Sequence, residues 1–572
     1  MTAGRPYARL VGLWGVITAL RWLAALPITE PRIFRDELLH WEMAKAFAAH
    51  QPFVFFGHPI DYPAFLYPAV LSLVFHVAHG RLAFDLARGL NAALMSAAVF
   101  PAYALGGELA GPAAALACAA LAGLTPDGVY SALIMEESLY YPLFVLSSWL
   151  CFRVLVRGSA RDAVWCGVAL CLTYFAKPLA LLLVATYGVA VGAWGVLELR
   201  GREPLRRRAV ALLTRLVPIV MFGAALVVRH ALATRGGPTE GAPSELLLSR
   251  FYAEELGGAL LPPLGPLAVV AVTLLAALAL GLGAAPVSAL FSRWSGPRDR
   301  VRGWLVGFTV LAVTVHVVAG ARHTLLLNDT LRPHERYLFA LGPLVLTAFL
   351  TEAGPRIGWA ATALVVGAIV VAIGPLGHLT LSTATTIDAP SLTAPWLLRR
   401  SLGPVPAALL AGAAALAVTW GAVRARGRLW LRVAWLAALP LLLNAGWYWD
   451  FYRQTYLNAT SQLVRGLEER VTPTQRLAVV VADTSATQQR LVLYLRFWLG
   501  DRMTAYWGGN GDARWYTDAN GTGDAAARSG ARYLVLQEGG SACPAGRPVS
   551  GLEPAASLRV AVLEVPDAGC GR

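Results

Sequence analysis

The sequence predicts a mainly α polytopic membrane protein with a small α/β domain at its C-terminal end. Three observations carry that expectation. Of 572 residues, 57% are apolar and only 14% are charged, with a mean hydropathy of +0.56. A soluble globular chain carries roughly 25% charged residues, and a disordered one needs low hydrophobicity. The apolar residues fall into thirteen runs close to the roughly 20 residues that cross a bilayer as a helix. Arginines gather between those runs rather than on one surface.

The runs lie near 8–27, 84–105, 112–128, 138–156, 162–176, 178–197, 209–228, 263–291, 303–320, 337–352, 357–377, 404–423 and 430–448. A further apolar stretch, 62–80, carries Tyr62, Pro63, Tyr67, Pro68, His76 and His79, and reads either as a span or as an interfacial helix. Arg153/Arg157/Arg161, Arg200/Arg202/Arg206/Arg207/Arg208, Arg293/Arg298/Arg300/Arg302 and Arg424/Arg426/Arg428/Arg432 each separate two runs. Excess Lys and Arg mark cytoplasmic loops. With the N-terminus inside, all four loops come out cytoplasmic only if 62–80 does not cross. That parity gives about thirteen spans and an external C-terminus. The first run is long for a signal peptide and reads as an uncleaved span.

The formal net charge is +14, from 48 Lys and Arg against 34 Asp and Glu. Only Lys45 and Lys177 are lysines. The charge is spread too thinly between apolar runs for a nucleic-acid binder. Most of it sets orientation, and the Ala, Gly, Leu and Arg content fits a GC-rich genome.

The chain changes character after Tyr448, which divides it into a transmembrane domain, 1–450, and an extracytoplasmic α/β domain, 451–572. Leu477–Ala482, Tyr533–Gln537 and Leu558–Val565 are strand-length apolar runs, 485–499 reads as helix, and Asn510–Asp512 and Asn520–Asp524 mark turns. Trp498, Tyr506, Trp507, Trp515 and Tyr516 are either sugar-stacking faces or ordinary packing. Cys118, Cys151, Cys166 and Cys171 read as small apolar fillers. Cys543 and Cys570 lie where a disulfide is permitted, and there is no CxxC metal pattern.

Charge in or beside a membrane needs a reason. Asp36 and Glu37 follow the first span closely, within Arg35-Asp36-Glu37-Leu38-Leu39-His40-Trp41-Glu42. Glu37, Trp41 and Lys45 are four apart and share a helix face, with Asp36 at the expected N-cap. The loop continues through Phe55, Phe56, His58, Pro59, Asp61, Tyr62, Pro63, Tyr67 and Pro68, a proline-aromatic wall of the kind that suits headgroups. A second carboxylate pair, Glu136-Glu137, precedes Ser138, and Lys177-Pro178 stands at the next hairpin on the same side. Arg322-His323 and Arg332-Pro333-His334-Glu335-Arg336-Tyr337 form the densest outward cluster of cations. Arginine's planar fork suits phosphate. Each feature alone also reads as a capping or snorkelling residue; their placement on one side favours a site.

The ordered set Asp36-Glu37, Tyr62-Pro63…Tyr67-Pro68, Glu137-Ser138-Leu139…Pro142, Lys177 and Glu335-Arg336-Tyr337-Leu338 resembles the GT-C superfamily of polyprenyl-phosphate-dependent glycosyltransferases. The likeness is to its family 39-like and aminoarabinose transferase-like members, and it covers about 1–350; an actinobacterial source is the matching expectation. The resemblance implies that Asp36 is the catalytic base, supported by Glu37. It implies that Lys177, Arg322, Arg332 and Arg336 are candidates for the lipid-linked phosphate. Glu137, His58, Tyr62, Glu335 and Tyr337 would shape the site or the acceptor. Two residues depart from the pattern: His40 stands where many relatives carry Tyr, and Pro178 where Gly is commoner. No cofactor is required by the resemblance, and a divalent metal at Asp36/Glu37 stays open.

The expectation is therefore an inverting glycosyltransferase in the plasma membrane, with a cytoplasmic N-terminus. It would move sugar from a polyprenyl-phosphate donor to a cell-envelope acceptor on the outer side. One carboxylate takes the hydroxyl proton, and cations hold the leaving phosphate. The alternatives are a ligase using a diphosphate-linked oligosaccharide and a non-enzymatic flippase. A flippase would place its charges near the midplane within broken helices.

Overall fold

The architecture is that of a computed structural model. It describes residues 4–233, 263–291, 299–350, 358–382 and 388–565, apart from 33–34, 57, 60–61, 200–203, 328–330, 332, 426, 457–458, 473, 482–485, 508–518, 521–530, 538–546 and 550–559.

Over its described residues, each of the thirteen apolar runs lies mainly on a helix or a helix pair. The first is α1 (Gly4–Ala25). The loop after it holds α2 (Arg35–Ala48), a short pairing of β1 (Val54–Phe55) with β2 (His58–Pro59), and α3 (Leu66–Phe75). Helices α4 (Gly80–Ser96) and α5 (Val99–Gly107) form one stretch, and α6 (Pro112–Gly123) bends by 54° into a 3₁₀ turn, Pro126–Ala132. There follow α7 (Glu137–Arg157), α8 (Ala160–Ala176), α9 (Ala180–Leu199), α10 (Leu205–Ala233), α11 (Leu264–Leu282), α12 (Asp299–Leu327) and α13 (Gly342–Leu350). The bundle closes with α14 (Trp359–Ile373), α15 (Thr393–Leu402), α16 (Pro404–Arg424) and α17 (Leu429–Tyr456).

Among the described residues nine helices are long and apolar enough to cross a membrane, or ten if the bent pair is one span. Two of the other runs are shortened by helix breakers. Helix α8 has 17 residues, held between Gly158 and Pro178. Helix α14 has 15 and stops at Gly374-Pro375, because the residue before proline disfavours the helical region. Helix α3 spans ten residues, about 15 Å, half of a hydrocarbon core. The 62–80 stretch therefore holds a helix too short to cross. Large apolar side chains point outward from the bundle, such as Val220 at 66%, Leu364 at 76% and Leu442 at 68% exposed. Such a girdle is stable only in lipid. The chain is a multi-pass membrane protein.

Helices α7 and α8 form a tight hairpin. Gly158 closes it at φ +63°, where a side chain would be strained and would meet the Arg215 guanidinium. Ser159 then accepts the Asp162 amide to cap α8.

The expected boundary at 450–451 falls inside α17. Beyond it come α18 (Ala459–Arg470), β3 (Leu477–Val481), α19 (Ala486–Leu499) and β4 (Met503–Trp507). Then come β5 (Ala519–Asn520), β6 (Tyr533–Gln537), β7 (Arg547–Pro548) and β8 (Val560–Glu564). The sheet order is β5-β4-β3-β6-β8-β7. The first four strands pair in parallel, and β8 turns antiparallel against both β6 and β7. The expected strands and the 485–499 helix appear within a residue or two; β4 was not anticipated. Helix α19 is the crossover between β3 and β4 and packs on α2, which ties the sheet to the membrane bundle.

Candidate active site

The segment Leu133–Glu136 joins the 3₁₀ turn to α7 and makes no regular ladder, so its polar groups need side-chain partners. They come from the first loop and α4. Glu37 Oε1 accepts the Ile134 amide at 3.1 Å, and Asn91 Nδ2 donates to the Leu133 carbonyl at 2.7 Å. Tyr67 Oη in turn donates to Asn91 Oδ1 at 3.1 Å. Adjacent residues on a helix diverge by about 100°. Glu37 is accordingly fully buried, while the Asp36 side chain is 37% exposed. Asp36 sits within the first turn of α2 rather than at its cap.

Glu136 is the hub. Its Oε2 faces His40 Nε2 at 2.6 Å and accepts from Tyr62 Oη at 3.0 Å; its Oε1 faces Lys177 Nζ at 3.2 Å. Lys177 also donates to the fully buried Glu137. Burial works against ionising Glu136, but Lys177 and His40 outweigh it and hold the carboxyl well below its ordinary range. Burial likewise opposes a proton on His40, and Glu136 outweighs it, so the ring's pKa stands above its ordinary value. A protonated ring donates from both nitrogens, which suits Nδ1 lying 3.4 Å from the Ile134 carbonyl. Lys177 follows the same logic: burial is opposed by Glu137 and Glu136, and its pKa is raised. The extended backbone that Pro178 imposes on Lys177 ends α8 at that point.

Arg336 stands on the open edge. Its Nη1 is 3.5 Å from Asp36 Oδ2 and its Nε is 3.8 Å from Asp388 Oδ1. That Nε has no hydrogen-bond acceptor among the described residues. Lys177 is shared between two buried carboxylates, whereas the two carboxylates that face Arg336 stand 3.5 and 3.8 Å away. His334 bridges the same region, 3.0 Å from Thr324 Oγ1 and 3.9 Å from Asp388. The rings of His323 and Tyr337 stand 4.9 Å apart, and Arg322 precedes that His323 on α12. Glu335 is committed elsewhere: its Oε2 accepts the Ser391 amide at 3.0 Å. Burial pushes its pKa up to about 7 against that hydrogen bond. Arg332 and the His58 side chain lie outside the described residues, as do Trp515, Tyr516, Cys543 and Cys570. Among the described residues no group of three or more His, Cys, Asp or Glu is placed to hold a metal ion.

No protein-family model matches the chain, and no curated protein matches it by sequence. Solved structures do. ArnT from Cupriavidus metallidurans bound to undecaprenyl phosphate aligns at TM-score 0.52 and 14% identity, covering 97% of both chains. The chain has the GT-C fold. Apo ArnT from the same organism aligns at 0.49 and 15% identity, over 97% of this chain and 98% of that one. The Archaeoglobus fulgidus oligosaccharyltransferase aligns at 0.39 and 10%, over 91% and 68%.

Within this GT-C fold the structure gathers Asp36, Glu37, Tyr62, Glu137, Lys177 and Arg336 at one end of the bundle. Sequence reasoning missed three members. Glu136, not Glu137, carries most of the ion pairs, and adjacency alone could not rank them. His40 is a working partner rather than a mere departure from the family pattern. Asp388, a lone acid among Thr and Ala ahead of Pro390, carries the same signal as the others, scarce charge between apolar runs.

Proposed function

We propose that the protein transfers a sugar from a polyprenyl-phosphate donor to a hydroxyl acceptor, with inversion, at the end of the bundle that carries Asp36. One observation supports this most. Asp36 is the accessible carboxylate of the cluster, at 37% side-chain exposure, against 6% for Glu136, 0% for Glu137 and 4% for Asp388. It stands 3.5 Å from Arg336, a cation held less closely by its carboxylates than Lys177 is.

A hydroxyl attacking an anomeric carbon must lose its proton as the new bond forms. Asp36 is the group placed to take it. The departing phosphate carries negative charge, and Arg336 offers a preorganised cation for it. Glu136, Glu137, Lys177 and His40 are too buried and too mutually paired to react; they fix the segment that faces Asp36. A prenyl tail would stay in lipid beside the bundle while its sugar phosphate reaches this end. In this reading the site lies on the outer side of the plasma membrane and the acceptor belongs to the cell envelope, with the N-terminus in the cytoplasm. Arg322 and Arg332 remain candidates for the phosphate, and Tyr62, Tyr337 and His58 for the acceptor.

Asp36→Asn in native membranes tests the assignment. Transfer from a polyprenyl-phosphate-linked sugar should fall about 10²–10⁴-fold, the range for losing a general base, with the protein still folded. Near-normal turnover sinks the role of Asp36. Offering a diphosphate-linked oligosaccharide in parallel separates a ligase from a monophosphate-dependent transferase.

A further inference from the structure

The C-terminal helices grip the short segment just before Asp36. Tyr494 Oη of α19 donates to the Pro31 carbonyl at 2.8 Å. Trp498 Nε1, one turn on, donates to Glu30 Oε2 at 2.8 Å. Arg465 of α18 reaches Glu30 Oε1 at 2.5 Å and Thr29 Oγ1 at 2.6 Å. Arg81 of α4 closes the cluster, 3.1 Å from Glu30 and 2.6 Å from Glu468, with its guanidinium 4.5 Å from the Trp498 ring centre. Glu30 itself is fully buried. Past Asp36, the Trp41 ring lies flat on Phe497, with centroids 4.6 Å apart and planes at 15°. Arg496 lies over Phe56 further along the same loop.

We propose that α18 and α19 act as a strut that fixes Asp36 against Arg336, with Glu30 as its positioning residue. This rests on the reading of Asp36 as the base. Two features argue for positioning beyond packing. The polar contacts converge on Thr29, Glu30 and Pro31, five to seven residues before Asp36, and the aromatic stack holds Trp41, five after it. The hub is a buried carboxylate among cations, an arrangement that stabilises a fold no better than apolar packing but fixes direction. Asp36 and Arg336 come from distant parts of the chain and stand 3.5 Å apart. A displacement of about 1 Å at a reacting group costs up to about 10²-fold in rate.

The test uses the full chain in nanodiscs. Glu30→Gln removes the hub charge, and Trp498→Phe removes one hydrogen bond to it and part of the ring that Arg81 covers. Each variant is read by kcat and donor KM, by unfolding temperature, and by hydrogen exchange of the 30–45 segment. The expected result for Glu30→Gln is a kcat lower by about 10- to 100-fold. Donor KM should stay within about twofold and exchange should quicken in 30–45 alone, with Trp498→Phe giving a smaller change of the same pattern. Unchanged kcat with unchanged exchange overturns the strut. So does a loss of activity matched by faster exchange across the whole chain, which would mark general destabilisation. An active Asp36→Asn protein would instead refute the role of Asp36, and the exchange pattern would still report whether the strut holds that segment.

Discussion

The hairpin of α7 and α8 carries ion pairs at both ends, and the two ends are built differently. At the turn, Arg153 lies 2.9 Å from Asp162 and 3.7 Å from Glu108, and Arg157 pairs with Glu108. These partners come from neighbouring helices, and the arginines are 22% and 52% exposed. At the open end, Glu136, Glu137 and Lys177 sit at 9% exposure or less. Their neighbours come from residues 40, 62 and 336. The first end staples a turn. The second assembles distant segments around charge that water scarcely reaches. Exposed pairs contribute little, whereas breaking a buried one leaves an uncompensated charge. Depth and range of assembly, rather than the number of ion pairs, separate a site from a staple.

The sharpest break in that contrast is Glu136→Ala. It strips His40 of its carboxylate and leaves Lys177 with Glu137 alone, and should cost about 3–5 kcal/mol of stability. Thermal or denaturant unfolding in nanodiscs measures this. A loss below about 1 kcal/mol would place Glu136 with the surface pairs.

Arg336 tests chemistry rather than stability. Arg336→Gln should lower kcat by about 10²-fold, the scale for one lost charge-stabilising donor. Arg336→Lys should recover only part, because a point charge cannot reproduce the fork. Lys177→Met should reverse the pattern, unfolding more readily than Arg336→Gln because it leaves two buried carboxylates facing each other. Equal effects from the two substitutions would erase the distinction between the closely paired cation and the loosely paired one.

The two ends also differ in how well the sequence announced them. Apolar runs and arginine clusters located the bundle and the hairpin turn, since both are written in local composition. The same holds for β3, β6, β8 and α19. Asp36, Glu37 and Lys177 stood out because charge is scarce in this chain. The hub did not. Glu136 outranks Glu137 only because the turn into α7 aims it at His40 and Tyr62, which is a property of the fold. Asp388 joins Arg336 across more than fifty residues, and no spacing rule links them. Glu30 showed no motif at all, since its partners lie on α4, α18 and α19.

The pH response follows from the same cluster. His40 has a raised pKa in the fold, so its contribution is full below about pH 6.5 and is lost as pH rises through the raised value. Glu136 has a lowered one, so its contribution is full above about pH 4.5 and is lost as pH falls from there. The stability of the protein relative to His40→Gln should therefore shrink on the alkaline side. Relative to Glu136→Gln it should shrink on the acid side. Unfolding temperatures across a pH series check both slopes, and parallel curves for wild type and His40→Gln would mean that His40 stays neutral.

The smallest effect belongs to the turn. Arg153→Ala removes a half-sheltered guanidinium that touches Asp162, Glu108 and the Trp149 ring. Its carboxylate partners do not depend on it alone: Asp162 lies in the first turn of α8, where the helix dipole favours negative charge, and Glu108 keeps Arg157. The cost should stay within about 1 kcal/mol, and it should fall further in high salt, because partly exposed pairs are screened. Transfer kinetics should change by less than about twofold, since sixteen residues of α7, about 24 Å, separate Arg153 from Glu137. A loss of transfer without a loss of stability would mean that the hairpin conveys strain between its ends. The turn would then have to be counted with the site rather than against it.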